Sequence, residues 1–358
     1  MPLHLPCTQV ITAFLSAFTT IQRLRLLPLL RYAVRQLLIV LAVAILVFCI
    51  LRLLPVDPSD MLLPPNGTEA ERLAVRAALG LDQSLFTQFG VWLQQLLHGD
   101  LGVSIQSGEA VHQLLWHALP VTLQLVCFAL FLGIVLGGGS GLLAFRYRHT
   151  PLRNTLEISN ALALSVPEFL WGILLMLLFG IGLRWLPFFG QIAPLLSVPD
   201  VTGFLFIDTL LAGDLTAWLS VLGHYCLPAL ALALAIAPML MRILYSSLNQ
   251  IYLSDYVRSA RLRGLSENRL LLRHALRNAI LPALNLLGVQ TGTLIGGTLL
   301  IENLYGLQGI GYLMLQAIRH QDLPVIQGIA LVYAVAVLLI NQLTDWLQYR
   351  LDPRGRAA

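Results

Sequence analysis

Apolar residues in this chain fall into long continuous runs separated by short polar stretches, not into the alternation of a half-buried strand or the single stripe of a surface helix. Six runs approach or exceed the roughly 20 residues needed to cross a bilayer. They cover about 34–54 (ending at Pro55), 120–145, 156–183, 226–247, 279–301 and 324–347. The expected fold class is all-α: a polytopic membrane protein with six transmembrane helices. Residues 1–30 read as an N-terminal extension, 31–119 as the first transmembrane helix plus a segment outside the membrane, and 120–358 as a core of five transmembrane helices. In residues 1–30 Arg23 and Arg25 follow the apolar stretch, the reverse of a secretory signal. An interfacial helix and an extension from an upstream start both remain open.

The connections carry local signals of their own. Thr68 and Glu71 form a capping-box pattern, and Gly80 can end the helix that follows. Val91-Trp92 and Leu96-Leu97 suggest a second amphipathic helix, and Gly99-Asp100-Leu101-Gly102 a turn. The 184–225 connection contains Asp200, Asp208 and Asp214, and its apolar stretch 203–212 is too short to cross.

The polar insert 248–278 is the most distinctive stretch. Between Ser254 and Pro282 it carries Arg258, Arg261, Arg263, Arg269, Arg273 and Arg277, so it cannot lie in the bilayer. Asp255 can cap a first helix that Gly264 ends, and Ser266 a second that runs to Pro282, where the next span opens. Tyr256, Ala260 and Gly264 stand four apart and are expected on one face, where small residues would let another surface approach closely. This insert is expected to be a docking element.

Composition agrees with a membrane protein: 57% of the 358 residues are hydrophobic and 11% charged, with mean hydropathy +0.78, where soluble domains have about 25% charged. All 22 basic residues are arginine. Without lysine the chain cannot be a P-loop ATPase; any ATP-driven power must come from another polypeptide. The net charge of +4 is no nucleic-acid signal, because 17 arginines fall on one side of the predicted topology and 5 on the other. Membrane orientation predicts such an imbalance, and places both termini and the insert in the cytoplasm. Cys7, Cys49, Cys127 and Cys226 lack metal or disulfide spacing and read as small buried apolar residues.

Within the spans, Gly133, Gly137 and Gly141, and again Gly288, Gly292 and Gly296, form ladders at steps of four, suited to close helix packing within the chain or with a partner. Glu168, after Pro167 in the third span, is either a pathway residue or an interhelical hydrogen-bonding group. Gln290, Thr291 and Thr293 are candidates to line a polar path, or to bond between helices. Gly138-Gly139-Ser140-Gly141 matches an intramembrane serine protease pattern, but no later span holds a histidine base well inside it.

Taken together, these residues resemble the permease subunit of bacterial ABC importers of the dipeptide/oligopeptide/nickel group. The insert resembles that family's cytoplasmic motif through Arg258-Ser259-Ala260, Gly264 and Leu281-Pro282. Arg258 and Ser259 stand where the broader importer motif has an acidic residue and an alanine. Leu53-Leu54-Pro55-Val56-Asp57-Pro58, Leu79-Gly80-Leu81-Asp82, Leu119-Pro120-Val121-Thr122-Leu123, Glu302-Asn303-Leu304, Gly309-Ile310-Gly311, Asp322-Leu323-Pro324 and Leu351-Asp352-Pro353-Arg354 are similar to further family segments. The resemblance implies the type I importer permease architecture in the bacterial inner membrane. The expected partners are a second homologous permease, two ABC ATPases that hold ATP and Mg, a solute-binding protein outside, and membrane lipid, with no nucleic acid. This chain would bind no cofactor or metal and catalyse no reaction. The ATPase-docking residues would be Asp255, Tyr256, Arg258, Ser259, Ala260, Arg261 and Gly264. The alternative is a self-sufficient secondary transporter; such carriers often show inverted repeats, and no clear repeat relates the two halves here.

Overall fold

The computed structural model describes residues 34–50, 68–78, 80 and 82–351. Expectations for residues 1–30, Leu53–Pro58 and Asp352–Arg354 fall outside the described residues. Two compact units divide at Pro55 and Val56. The first contains α1, Val34–Ile50, an apolar helix covering most of the expected first span.

The second unit is helical throughout its described regular structure, apart from one isolated antiparallel bridge between Val103 and Ala110. It begins with α2, Glu69–Ala78, and α3, Leu85–Leu97. The capping box forms as expected: the Thr68 amide donates to Glu71 Oε2 at 2.7 Å, and the Glu71 amide to Thr68 Oγ1 at 3.3 Å. These bonds hold the Glu71 carboxyl below its ordinary pKa. Gly80, Gly99 and Gly102 take φ of +65°, +79° and +85°, so the chain turns at the predicted glycines.

Among the described residues, four helices are long and apolar enough to cross a membrane: α4, Val111–Arg146; α8, Leu215–Tyr252; α10, Glu267–Tyr305; and α12, Leu323–Leu351. Between them lie α5, Pro151–Ser165; α6, Glu168–Gly182; α7, Leu205–Leu211; α9, Asp255–Leu262; and α11, Ile310–Arg319. Three of the long helices start 9 to 12 residues before the expected span, so Pro120 and Pro282, expected to open their spans, lie inside them, as Pro228 does. Neighbouring helices in a membrane bundle can satisfy the backbone group that a proline frees. The early turns are also buried: Val111, Leu115 and Ala118 of α4 pack against Ile310, Ala317, Val325 and Ile329. At 38 residues, α8 is about 57 Å long, well beyond a hydrocarbon core of about 30 Å, so its ends stand clear of the bilayer.

The expected third span is not one rod. It breaks between α5 and α6 with a bend of 103°. Proline drives its predecessor into extended conformation, and Val166 adopts φ −110°, ψ 125°. The Trp171 indole N–H bridges the break to the Ala163 carbonyl at 3.1 Å.

Helix α8 is central. Tyr225, Leu232 and Ile236 bury against Leu125 and Ala129 of α4, Leu175 of α6, and Leu294 and Ile301 of α10. The first glycine ladder makes this possible. A Cβ on Gly137 would lie 2.5 Å from the Ala237 carbonyl oxygen, and one on Gly141 3.2 Å from the Met241 oxygen, so α4 and α8 touch backbone to backbone. Of the second ladder, Gly288 meets Thr344 and Gly292 meets Val337 on α12, while Gly296 faces open space. Ladder packing is therefore within the chain at five of six glycines.

The 184–225 connection is folded. Asp208 is buried and accepts from the Thr202 amide (2.9 Å), the Thr202 hydroxyl (2.7 Å) and the Gly203 amide (3.2 Å). Burial pushes its carboxyl up, but these bonds and one from Val201 outweigh it, and the pKa falls below the ordinary value. Gln124 Oε1 accepts from the Phe206 amide at 2.9 Å, tying the connection to α4.

Candidate functional site

The polar insert forms a compact helix–turn–helix. Ser254, not Asp255, occupies the N-cap of α9 in extended conformation, and Asp255 is the first helical residue. Gly264 has φ +80° and reverses the chain. Ser266 occupies the N-cap position of the next helix, in extended conformation and without a side-chain capping bond, and that helix continues unbroken through Pro282 as α10. Val257, Ala260 and Leu270 form a small buried cluster with Ile251, Tyr252 and Leu265 around it. The expectation that Ala260 shares an outer face with Tyr256 and Gly264 is thus corrected. A two-turn helix has one apolar side to bury, and Val257 and Ala260, three apart, are that side.

The charged side chains knit the insert to its neighbours. Arg148, just beyond α4, lies 4.7 Å from the Phe145 ring and 5.6 Å from the Tyr252 ring; Arg261 lies 5.7 Å from the Tyr252 ring. Arg261 Nε donates to Glu267 Oε1 at 2.7 Å, and this bond raises the Arg261 pKa. Exposed pairs of this kind contribute about 0–1 kcal/mol, so the buried cluster holds α9 more than the ion pair does. Arg146 donates to Asn268 at 3.3 Å, and Asn278 to the Tyr256 hydroxyl at 2.9 Å. Left facing outward are Asp255, Tyr256, Arg258, Ser259, Arg263 and Gly264. Beside them Leu253 and Leu262 are 87% and 83% exposed. Apolar side chains that exposed, ringed by arginines, make a surface suited to a partner.

Glu168 begins α6 directly after the bend and is half-buried, its carboxylate lying against Gly297 of α10. Only a glycine leaves room for it there. Thr293 and Gly296, one turn away on α10, are exposed. The Thr291 and Thr293 hydroxyls donate to the Leu287 and Gln290 carbonyls of their own helix at 2.6 and 2.8 Å. Gln290 is half-buried on the same helix. Ser140 of the protease-like pattern donates to the Gly137 carbonyl at 3.1 Å.

A third cluster was not singled out in the sequence. Glu302 is fully buried at the end of α10. The Thr122 hydroxyl of α4 donates to Glu302 Oε1 at 2.7 Å and accepts from the Ile310 amide at 2.8 Å. The Tyr312 amide donates to Glu302 Oε2 at 3.0 Å. Helix α11 opens on Gly309, which has no side chain to cap it; Thr122 and Glu302 cap it from two other helices. A Cβ on Gly309 would meet Glu302 Oε2 at 2.5 Å, which requires glycine there. The legible signal was a carboxylate at the end of an apolar run, followed by Gly306, Gly309 and Gly311.

The model of the family "binding-protein-dependent transport system inner membrane component" matches residues 129–357, and the N-terminal model of the same group matches 24–126. The chain belongs to this family. It is the inner-membrane permease subunit of a binding-protein-dependent importer. Over 319 residues the permease is 34% identical to a di/tripeptide transport system permease protein of Pseudomonas aeruginosa, covering 88% of this chain and 94% of that one. Over 320 residues it is 31% identical to a dipeptide transport system permease protein of Escherichia coli K12, again covering 88% and 94%. A chain of the MetNI methionine ABC transporter, solved in an inward-facing conformation, shares the fold with TM-score 0.51 and 16% identity over 67% of this permease and 97% of that chain. The architecture is that of the type I ABC importer permeases.

Proposed function

We propose that this permease moves peptides, or a related small solute, inward, and that α9 is the helix through which separate ATPase subunits drive it. The supporting observation is α9 itself: it is held rigidly by the Val257–Ala260–Leu270 cluster, yet offers Leu253, Tyr256, Arg258, Ser259 and Leu262 outward. A rigid handle passes on a push that a slack loop would absorb. ATP and Mg sit in two partner ATPases, and a second permease completes the path. A solute-binding protein delivers cargo outside, where the 55–119 segment meets it. Residues 31–119 supply the first span and that outer segment, and 120–358 the transport core with both termini and the 248–278 insert in the cytoplasm. Glu168, with Gln290, Thr291 and Thr293, faces the path. Nickel complexes remain cargo of the wider group; the relatives' names favour peptides.

The test is uptake by the reconstituted importer. Ser259→Trp puts bulk on the outer face of α9 without backbone strain, whereas Gly264→Trp adds strain at φ +80°. Both are expected to abolish ATP-coupled uptake while leaving membrane insertion intact. Normal uptake by Ser259→Trp would refute the docking role. Ion-driven uptake by the purified chain alone would instead establish a secondary transporter.

A further inference from the structure

At the end of α4 remote from Arg146, the first turns of the helix and the folded 184–225 connection enclose a pocket of about 740 Å³. Small-molecule sites span roughly 300–1,000 Å³. Its walls are fixed from behind. Asp208 fastens Thr202 and Gly203, Ser220 Oγ accepts from the Ala193 amide at 3.0 Å, and the Tyr225 hydroxyl donates to Gln191 Oε1 at 3.3 Å. The pocket is therefore built before any ligand arrives.

We propose that this pocket binds the free α-ammonium end of a short peptide, with Asp200 as the counter-charge and the Trp116 face as the cation's second neighbour. The proposal deepens the peptide-import reading and rests on it. The lining holds two carboxylates, and one is spent: both Asp208 oxygens are occupied by the connection's own donors. Asp200 is exposed and has no hydrogen bond or ion pair among the described residues. Trp116, 75% exposed, stands in the same lining. A carboxylate with an indole face is the pairing that binds an ammonium group. Val121 and Ile192 add an apolar wall for the adjacent side chain. No arginine lines the pocket; its one basic side chain, the exposed imidazole of His117, stands against the two carboxylates of Asp200 and Asp208, so the lining favours a cation over an anion. It is no metal site either: no group of three or more His, Cys, Asp or Glu suited to a metal occurs among the described residues.

The probes are trialanine and N-acetyl-trialanine, which differ in that ammonium. Calorimetry on the permease–ATPase complex in nanodiscs, without binding protein, should show trialanine bound at least tenfold more tightly than its acetylated form. Asp200→Asn should remove the tenfold preference, Asp200→Glu should keep it, and Trp116→Ala should weaken trialanine severalfold. Equal binding of the two probes, no binding by the wild-type complex, or an unchanged preference in Asp200→Asn would overturn the proposal. So would an Asp200→Asn variant that loses affinity for the binding protein while keeping the peptide preference, because the pocket would then be a protein-docking surface. Uptake with the binding protein present separates the two readings. If wild type imports trialanine but its pocket does not discriminate, the pocket alone fails; if wild type imports neither peptide, the import reading fails and the pocket with it.

Discussion

Thr122→Val is the sharpest test of how the end of α10 and the start of α11 are joined to α4 at Glu302. Valine keeps the shape of threonine and exchanges the hydroxyl for a methyl. Two buried bonds disappear, the 2.7 Å bond to Glu302 Oε1 and the 2.8 Å bond from the Ile310 amide. Side-chain hydrogen bonds between membrane helices average about 0.6 kcal/mol and reach about 1.7. Leaving a buried donor without a partner adds about 1–3 kcal/mol, and Ile310 lies in a site with no route to water, at 1% exposure. The sum is about 2–5 kcal/mol of lost stability. Thr122→Ser, which keeps the hydroxyl and loses only a methyl, should cost less than about 1 kcal/mol. Equilibrium unfolding in mixed micelles measures both, and a cycle with Glu302→Gln isolates the coupling. A Thr122→Val variant within about 0.5 kcal/mol of wild type, the scatter expected of a change away from any such feature, would mean that α11 is held by apolar contact alone.

Three other outcomes follow from single positions. Glu168→Gln should slow uptake of cationic cargo more than neutral cargo, since a carboxylate on the path attracts the one and not the other; equal slowing would assign Glu168 to packing. Gly137→Val should destabilise by about 1–3 kcal/mol or more, because its Cβ meets the Ala237 backbone, which cannot step aside. Gly296→Ala, with nothing within 4 Å, should be nearly neutral in the same equilibrium-unfolding assay. Asp208 titrates below its ordinary 3.8 in the folded protein. Its contribution is therefore complete above that value and is lost as pH falls through the depressed one. Limited proteolysis of the 184–214 stretch should be flat from roughly pH 5 to 8 and rise only in stronger acid; Asp208→Asn should be cleaved readily throughout. A wild-type cleavage midpoint near neutrality would contradict the hydrogen-bonded carboxylate.

The sequence by itself determined the membrane class, the approximate places of the long apolar helices, the lack of a P-loop lysine and the helical insert. Each depends on one-dimensional information: run length, missing lysine, arginine bias, and glycines at turns such as Gly80 and Gly264. Helix ends were legible where a cap is local, as at Thr68, whose capping box forms. They were misread at Pro120 and Pro282, since whether a proline bounds a helix depends on neighbours that satisfy the freed carbonyl. Tertiary structure alone decided that Ala260 turns inward and that the glycine at 297 makes room for Glu168. It alone joined Thr122 to Glu302, 180 residues apart. Such pairings have no local signature, because they are set by which faces of distant helices meet once the bundle has closed.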